Sequence, residues 1–149
     1  MKNNLFRLFA LLTALLVYAS TQTVRSENQD VPAIGFISAE ELQSKLSSSG
    51  KVTIIDVRSS NGYSGSTERI KGAIHVKLRR LRSRLSLSPL KDIPRDQEVV
   101  TYCACPNDES SIEAARILQE SGFKRARALK GGWQEWKKAG GPTESKPRS

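Results

Sequence analysis

Val99-Val100-Thr101-Tyr102-Cys103-Ala104-Cys105-Pro106-Asn107-Asp108-Glu109-Ser110-Ser111, continuing into Ile112-Glu113-Ala114-Ala115-Arg116-Ile117-Leu118, decides how the rest of the chain is read. The first four residues form an apolar run of strand type that ends on a thiol. A short polar loop follows, and then an amphipathic helix whose buried stripe is Ile112, Ala115 and Leu118, with Ala114 and Ile117 beside it. Both cysteines of the chain lie where the strand gives way to the loop. A thiol there faces the loop N–H groups and the positive end of the helix, and both favour thiolate over thiol. Cys103 and Cys105 are therefore the candidate nucleophiles. Pro106, Asn107, Asp108, Glu109, Ser110 and Ser111 form the candidate active-site loop. Ser110 and Ser111 can hydrogen-bond the sulfur or cap the helix, and the cap is the simpler role.

Upstream, Val52-Thr53-Ile54-Ile55-Asp56-Val57-Arg58 is a β-branched run that predicts a central parallel strand. Asp56 falls near its end, where an α/β sheet presents its working edge. It reads as a carboxylate that accepts backbone hydrogen bonds and fixes the following loop, with Arg58 as a second supporting residue. Before this strand, Ser38-Ala39-Glu40-Glu41 is a capping box in which Ser38 caps a helix and Glu41 reaches back; Leu42 and Leu46 give that helix its apolar face. After it, residues 59–72 read as a polar loop containing Gly62, Gly65 and Gly72. Ala73 to Val76 reads as a short strand. His75, the only histidine, is expected to be packed and hydrogen-bonded there rather than catalytic.

Lys77 to Leu90 is a basic amphipathic segment with Leu78, Leu81 and Leu85 on one helical face. Arg79, Arg80, Arg82 and Arg84 occupy the remainder, either as a solvated charged face or as an electropositive rim that draws anions to the thiol. Beyond the cysteine helix, Gly122 suits a C-terminal cap, and Ala126-Arg127-Ala128-Leu129 a last strand. Gly131-Gly132 opens a helix whose Trp133 and Trp136 share a face and belong to the core. Residues 141–149 read as a frayed tail. Strands alternate with helices throughout, which predicts a three-layer α/β domain with a parallel sheet and its ligands at the carboxyl ends of the strands.

Residues 1–19 have the form of a secretory signal: Lys2 and Arg7 form a positive start, an apolar stretch runs from Leu8 to Ala19, and Val17-Tyr18-Ala19 offers a cleavage site. The apolar stretch is short for a bilayer span, so export to a periplasmic or secreted location, without stable membrane insertion after cleavage, is the expectation. An uncleaved anchor facing outward is the alternative. Residues 20–35 read as a linker and residues 36–140 as the domain. The 149-residue chain is long enough for one domain with a real core. Its net charge is +9; two of those charges, Lys2 and Arg7, leave with the signal. A basic balance favours anionic partners. Nucleic acid is not expected, because no aromatic residues interleave the basic stretch and the export signal argues against it. Two cysteines and one distant histidine fall short of a structural zinc set, and no cofactor is implied.

Four stretches carry a family resemblance: Ile55-Asp56-Val57-Arg58, Ile70-Lys71-Gly72-Ala73-Ile74-His75-Val76, the strand-Cys-loop-helix unit, and Leu129-Lys130-Gly131-Gly132-Trp133-Gln134-Glu135-Trp136. In this order and spacing the chain resembles single-domain rhodaneses from about Phe36 to Gly140. The resemblance implies the rhodanese fold and a cysteine that carries sulfane sulfur as a persulfide. The expected partners are small sulfur-containing anions or thiols. Two departures stand out. Glu68-Arg69-Ile70 replaces the family's usual Gly-His-Ile, and the loop reads Cys-Pro-Asn-Asp-Glu-Ser-Ser, where the family often has Gly and Arg. Carboxylates beside a thiolate oppose its ionisation and repel an anionic donor, which counts against thiosulfate as the physiological donor; thiosulfate and a polysulfide or persulfide are the donors expected of the resemblance.

The strand-side count places the family cysteine at Cys103, and the loop length counted from the helix places it at Cys105. Residues i and i+2 of a strand face the same way, so the two sulfurs can meet, and Cys103 can resolve a persulfide on Cys105. A thiol–disulfide oxidoreductase using both cysteines and a catalytically silent module of the same fold are the competing functions. A cysteine phosphatase or arsenate reductase fits poorly, since no arginine lies between Cys103 and Arg116 to hold an oxyanion.

Overall fold

Residue alternation along two neighbouring strands sets the layers. The computed structural model describes residues 33–48 and 50–147; the expected signal at 1–19 and most of the 20–35 linker lie outside the described residues. In β5 (Glu98–Tyr102), Val100 and Tyr102 join one hydrophobic cluster, whereas Val99 and the adjoining Cys103 join another. β2 (Val52–Asp56) divides likewise, with Ile54 in the first cluster and Ile55 in the second. Such strands are buried on both faces, as a central parallel strand requires.

The main sheet has five parallel strands. Its order is β1 (Gly35–Ile37), β6 (Arg125–Leu129), β5, β2 and β4 (Ile74–His75). On the Val99 side, α4 (Glu109–Glu120) buries Ala114, Ala115 and Leu118 against the sheet, and Phe123 completes the layer. On the Tyr102 side, α1 (Ala39–Ser47) contributes Leu42, and α5 (Gly132–Lys138) contributes Trp133 and Trp136. The three-layer α/β expectation therefore holds. Gly122, at φ +91°, closes α4 as a left-handed cap. Among the described residues, no helix is long and apolar enough to cross a membrane.

Four local expectations need correction. Ser38 does accept the Glu41 N–H at 3.1 Å, but the Glu41 carboxylate does not reach back. It takes two hydrogen bonds from Arg127, at 2.9 and 3.1 Å, because a cation in range offers more than a neutral amide. The supposed loop at 59–72 contains α2 (Ser60–Ser64), capped by the Ser59 hydroxyl, and β3 (Glu68–Ile70). The basic segment is not one helix: a 3₁₀ turn at Leu78–Arg80 leads into α3 (Leu81–Arg84). The Ser83 and Ser86 hydroxyls donate to carbonyls three residues back, the local competition that shortens helices. Its apolar face survives nonetheless, with Leu81 and Leu85 buried and Leu78 packed on the same cluster.

The fourth correction concerns the expected frayed tail at 141–149. Thr143–Ser145 forms β7, antiparallel to β3. The Pro142 carbonyl accepts from Lys71 N–H at 3.1 Å and from Trp136 Nε1 at 3.2 Å, and Gly141 leaves no room for a Cβ against the Trp136 ring. A buried indole N–H needs an acceptor, and the chain end supplies it.

Candidate functional site

The carboxyl ends of the central strands are stitched together past the regular ladder. Val57 N–H donates to the Tyr102 carbonyl, Val76 N–H to the Asp56 carbonyl, and Trp133 N–H to the Cys103 carbonyl, each at 2.9 Å. The last of these fixes the residue that begins the cysteine loop. It also requires glycine next door: at Gly132, with φ +49°, a Cβ would collide with the same Cys103 carbonyl.

The two cysteines differ in exposure. Cys103 is 1% exposed and packs among the α4 residues of the core. Cys105 is half-buried at the rim of that cluster. Their sulfurs are joined in a disulfide, with Cα atoms 5.7 Å apart. Cys105 N–H also points at the Cys103 sulfur, 3.4 Å away, and Ser111 Oγ lies 3.9 Å from that sulfur. The i, i+2 argument for adjacent sulfurs thus reaches the right contact, although β5 itself ends at Tyr102.

Asp108, and neither serine, is the N-cap residue of α4, with a left-handed backbone at φ 55° and no side-chain cap bond. Aspartate tolerates this conformation better than most residues. The residue is 8% exposed, and its carboxylate turns away from the helix it precedes: Oδ2 accepts from Gly131 N–H at 2.7 Å. Its Oδ1 is buried without a partner. The Ser111 hydroxyl donates to the Asp108 carbonyl at 2.8 Å, and Thr101 Oγ1 donates to the Ser111 carbonyl at 2.7 Å. Strand, loop and helix are therefore held to one another by side chains that the helix would otherwise leave free. Pro106, Asn107 and Glu109 are exposed, and Ser110 is half-buried. The first three N–H groups of α4, those of Glu109, Ser110 and Ser111, have no acceptor within the helix.

Asp56 and Arg58 lie beneath this edge, both fully buried. The Asp56 carboxylate accepts from Arg58 N–H at 3.0 Å, Arg58 Nε at 3.0 Å, Arg58 Nη2 at 2.7 Å and the Tyr102 hydroxyl at 2.7 Å. Burial alone would raise its pKa. The facing His75 ring and the Arg58 and Tyr102 donors outweigh burial and hold the carboxyl below the usual carboxylate range. Burial likewise disfavours the Arg58 charge, and pairing with Asp56 reverses the effect and raises its pKa. The guanidinium carbon sits 4.6 Å from the Trp133 ring centre and 5.1 Å from that of Tyr63. Burial first, and then the Asp56 charge, push the Tyr102 hydroxyl far above its ordinary pKa. That hydroxyl also accepts from Ile70 N–H at 3.2 Å. His75 stacks on Tyr63 at 3.7 Å, and its Nδ1 is 3.1 Å from the Asp56 carbonyl oxygen.

The expected site residues thus form two tiers. Cys103, Cys105 and Pro106–Ser111 lie at the sheet edge, and Asp56 with Arg58 forms a buried clamp below. Tyr102, Trp133 and Gly131 also belong to the support, beyond the residues the sequence singles out. Tyr102 borders Cys103 in sequence, and Gly131-Gly132 lies within a quoted motif, so adjacency was the available signal. Two cavities adjoin the loop. One, of about 330 Å³, is lined by Arg58, Lys77, Arg79 and Ser110 among others. The other, of about 460 Å³, is lined by Pro106, Asp108, Lys130, Glu40 and Glu135 among others. Among the described residues, no group of three or more His, Cys, Asp or Glu side chains is arranged to hold a metal ion.

Residues 38–139 match the family described as the rhodanese-like domain. The crystal structure of the Alr3790 protein from Anabaena is 32% identical over 74% of this chain and 82% of that one, with a TM-score of 0.62. A Rhodopseudomonas palustris protein of unknown function, described as a possible tyrosine phosphatase, is 26% identical over 74% of this chain and 85% of that one, with a TM-score of 0.63. A thiosulfate sulfurtransferase from Pseudomonas aeruginosa shares the fold at 20% identity over 75% of this chain and a TM-score of 0.62; the match spans 20% of that longer chain. No curated protein matches the sequence.

Proposed function

The chain belongs to the rhodanese-like domain family, and on that premise we propose that it is a sulfurtransferase carrying sulfane sulfur as a persulfide on Cys105. The observation that carries this reading is the difference between the two cysteines: Cys105 is half-buried at the rim of the core cluster, and Cys103 is buried within it. The mechanism is double displacement. The Cys105 thiolate attacks the outer sulfur of a donor, the donor's leaving group departs with the bonding pair, and the persulfide remains. The acceptor-free N–H groups at the start of α4 supply partial positive charge for it. The Asp108 carboxylate is engaged by Gly131 N–H, which ties the cysteine loop to the start of α5.

The disulfide defines a resting form that must be reduced first. It also supplies a route for discharge: the Cys103 thiol attacks the inner sulfur of the Cys105 persulfide, the Cys103–Cys105 bond forms, and hydrogen sulfide leaves with the proton. Residues 1–19, read as a secretory signal, support export, and disulfides persist outside the cytoplasm. The same disulfide favours a second reading, thiol–disulfide exchange without sulfur transfer.

The test is intact mass of the reduced protein after exposure to thiosulfate or to polysulfide. A gain of one sulfur in wild type and in Cys103→Ser, absent in Cys105→Ser, is the expected result. Gain in Cys105→Ser but not in Cys103→Ser moves the nucleophile to Cys103. No gain from either donor, with turnover of small disulfides instead, leaves the redox reading standing.

A further inference from the structure

Residues 77–91 carry six cations and no acid. Leu81, Leu85 and Leu90 are buried, as is Ile93 just beyond them, and these side chains pin the segment to the core. The residues between the anchors face solvent: Lys77, Arg79, Arg80, Arg84 and Lys91 are all exposed. Among the described residues, none of these five has a carboxylate within 4 Å. The sixth cation, Arg82, pairs with Glu120 of α4 at 2.6 Å. Glu113 of the same helix is taken by Arg116 at 2.7 Å, and Asp92, the next acid along the chain, accepts from the Ser88 hydroxyl. The outer side of the segment therefore keeps an excess of positive charge.

Backbone order places that charge on one side. Leu87 N–H donates to the Arg84 carbonyl and Lys91 N–H to the Leu87 carbonyl, each at 3.0 Å. Arg80, Arg84, Leu87 and Lys91 thus follow one another at a spacing of one turn, while Leu81, Leu85 and Leu90 turn to the core. Leu87 is 49% exposed; among the described residues, it and Phe36 are the large apolar side chains left open to water. A single exposed leucine needs no explanation. One set between unpaired cations has the chemistry of an interfacial segment, in which cations reach lipid phosphates and an apolar side chain enters the acyl boundary.

We propose that this face docks the domain on an anionic lipid surface, with Arg80, Arg84 and Lys91 against the phosphate headgroups and Leu87 among the first acyl carbons. The contact is peripheral and reversible, and it needs no insertion of the backbone. Lipid fits better than the other polyanions. Nucleic acid calls for aromatic side chains among the cations, and residues 77–91 contain none. An acidic protein would also pair with the charges, but residues 1–19, read as a secretory signal, bring this chain to a membrane surface. The proposal gives the domain a location and does not depend on its sulfur chemistry.

Residues 33–149 form a compact unit, so the chain from residue 20 onward is the form to test, free of the apolar stretch that would bind lipid by itself. It is sedimented with vesicles of mixed phosphatidylcholine and phosphatidylglycerol, and with vesicles of phosphatidylcholine alone, at physiological ionic strength. Binding to the anionic vesicles that raised salt releases, and none to the neutral ones, is expected. Arg80→Gln/Arg84→Gln/Lys91→Gln should lower the partition coefficient by about a hundredfold, each cation contributing about fivefold. Its thermal midpoint should match that of the wild type, because all three side chains are exposed. No binding, equal binding to both vesicles, or binding that the triple variant retains overturns the proposal.

A second measurement places Leu87. In Leu87→Trp, brominated acyl chains should quench the added indole, whereas Trp133 and Trp136 are buried and should be little affected. An added indole that stays unquenched on bound vesicles overturns the seating of this face. Cys103→Ser/Cys105→Ser should bind vesicles as the wild type does, and loss of binding there would also overturn it. Polyglutamate is the last arm: uptake of polyglutamate with none of the anionic vesicles would assign the face to an acidic protein and reject lipid.

Discussion

Replacing Asp56 by asparagine is the sharpest test of the buried clamp. Asparagine keeps the shape and one carbonyl oxygen, but it puts an NH₂ where a carboxylate oxygen now accepts from both Arg58 Nη2 and the Tyr102 hydroxyl, each at 2.7 Å. Arg58 is fully buried, and its Nη1 already lacks a partner, so the variant leaves a positive charge with no counterion. Removing one member of a buried pair costs about 3–5 kcal/mol. The retained carbonyl puts Asp56→Asn toward the lower end, about 3 kcal/mol, against a total stability for a small domain of about 5–15 kcal/mol. The variant should fold, with a midpoint lower by roughly 10 °C or more.

The pH dependence has a definite sign. The folded pKa of Asp56 lies below its unfolded value, which is about 3.9. Its contribution is complete above the unfolded value and is lost as pH falls through the folded one. Urea unfolding followed by the fluorescence of Trp133 and Trp136, the first with its ring centre 4.6 Å from the Arg58 guanidinium carbon, reads wild type and variant at pH 7 and at successively lower pH. The wild-type advantage should be largest at neutral pH and shrink in acid. A difference under about 1 kcal/mol at pH 7, or one that stays constant into acid, would refute the clamp as argued.

Gly132→Ala should cost about 2–3 kcal/mol by thermal unfolding and slow sulfur loading, because a Cβ there meets the Cys103 carbonyl at a residue with positive φ; a variant as stable and as active as wild type would contradict the close approach. Ending the chain after Gly141 should lower the melting temperature by several degrees, since it removes β7 and the Pro142 acceptor for Lys71 and Trp136; an unchanged midpoint would restore the tail to the frayed segment first expected. Glu98→Gln should destabilise by about 1–3 kcal/mol, because Glu98 is buried and pairs with Lys45, Arg125 and Arg127 at 3.0–3.1 Å. It begins β5, at the end of the sheet opposite the cysteines, so sulfur uptake by intact mass should be unaffected, and a loss there would show coupling along the strand.

The elements that sequence reading recovers are those whose own residues carry the signal. β2 and β5 are β-branched runs, α4 has a periodic stripe and a glycine cap, and the two tryptophans of α5 share a face. Those elements order the sheet and set the cysteines at its carboxyl edge. The missed elements are short and draw on partners far along the chain. Glu68–Ile70 and Thr143–Ser145 are strands only because each pairs with the other across about seventy-five residues, and neither triplet has alternation long enough to register. The basic segment misled for a related reason. Leu78, Leu81 and Leu85 do cover the core, but burial of that face needs only a turn of 3₁₀ and a turn of α.

At the site, residue type was legible and direction was not. Asp108 reads in sequence as a charge set against the thiolate. In the folded chain a left-handed backbone turns its carboxylate to Gly131 N–H, a residue 23 positions away, so the same side chain ties the cysteine loop to the start of α5. The next two residues on that helix complete the tie: Gly132 lets the chains approach, and Trp133 N–H holds the Cys103 carbonyl. Trp133 in turn lies over the Arg58 guanidinium, which is clamped to Asp56 at the end of β2. The position of the sulfur pair is therefore set by three separate stretches meeting around one buried arginine. Each of those stretches was recognisable in sequence, and their convergence was visible only in the folded structure.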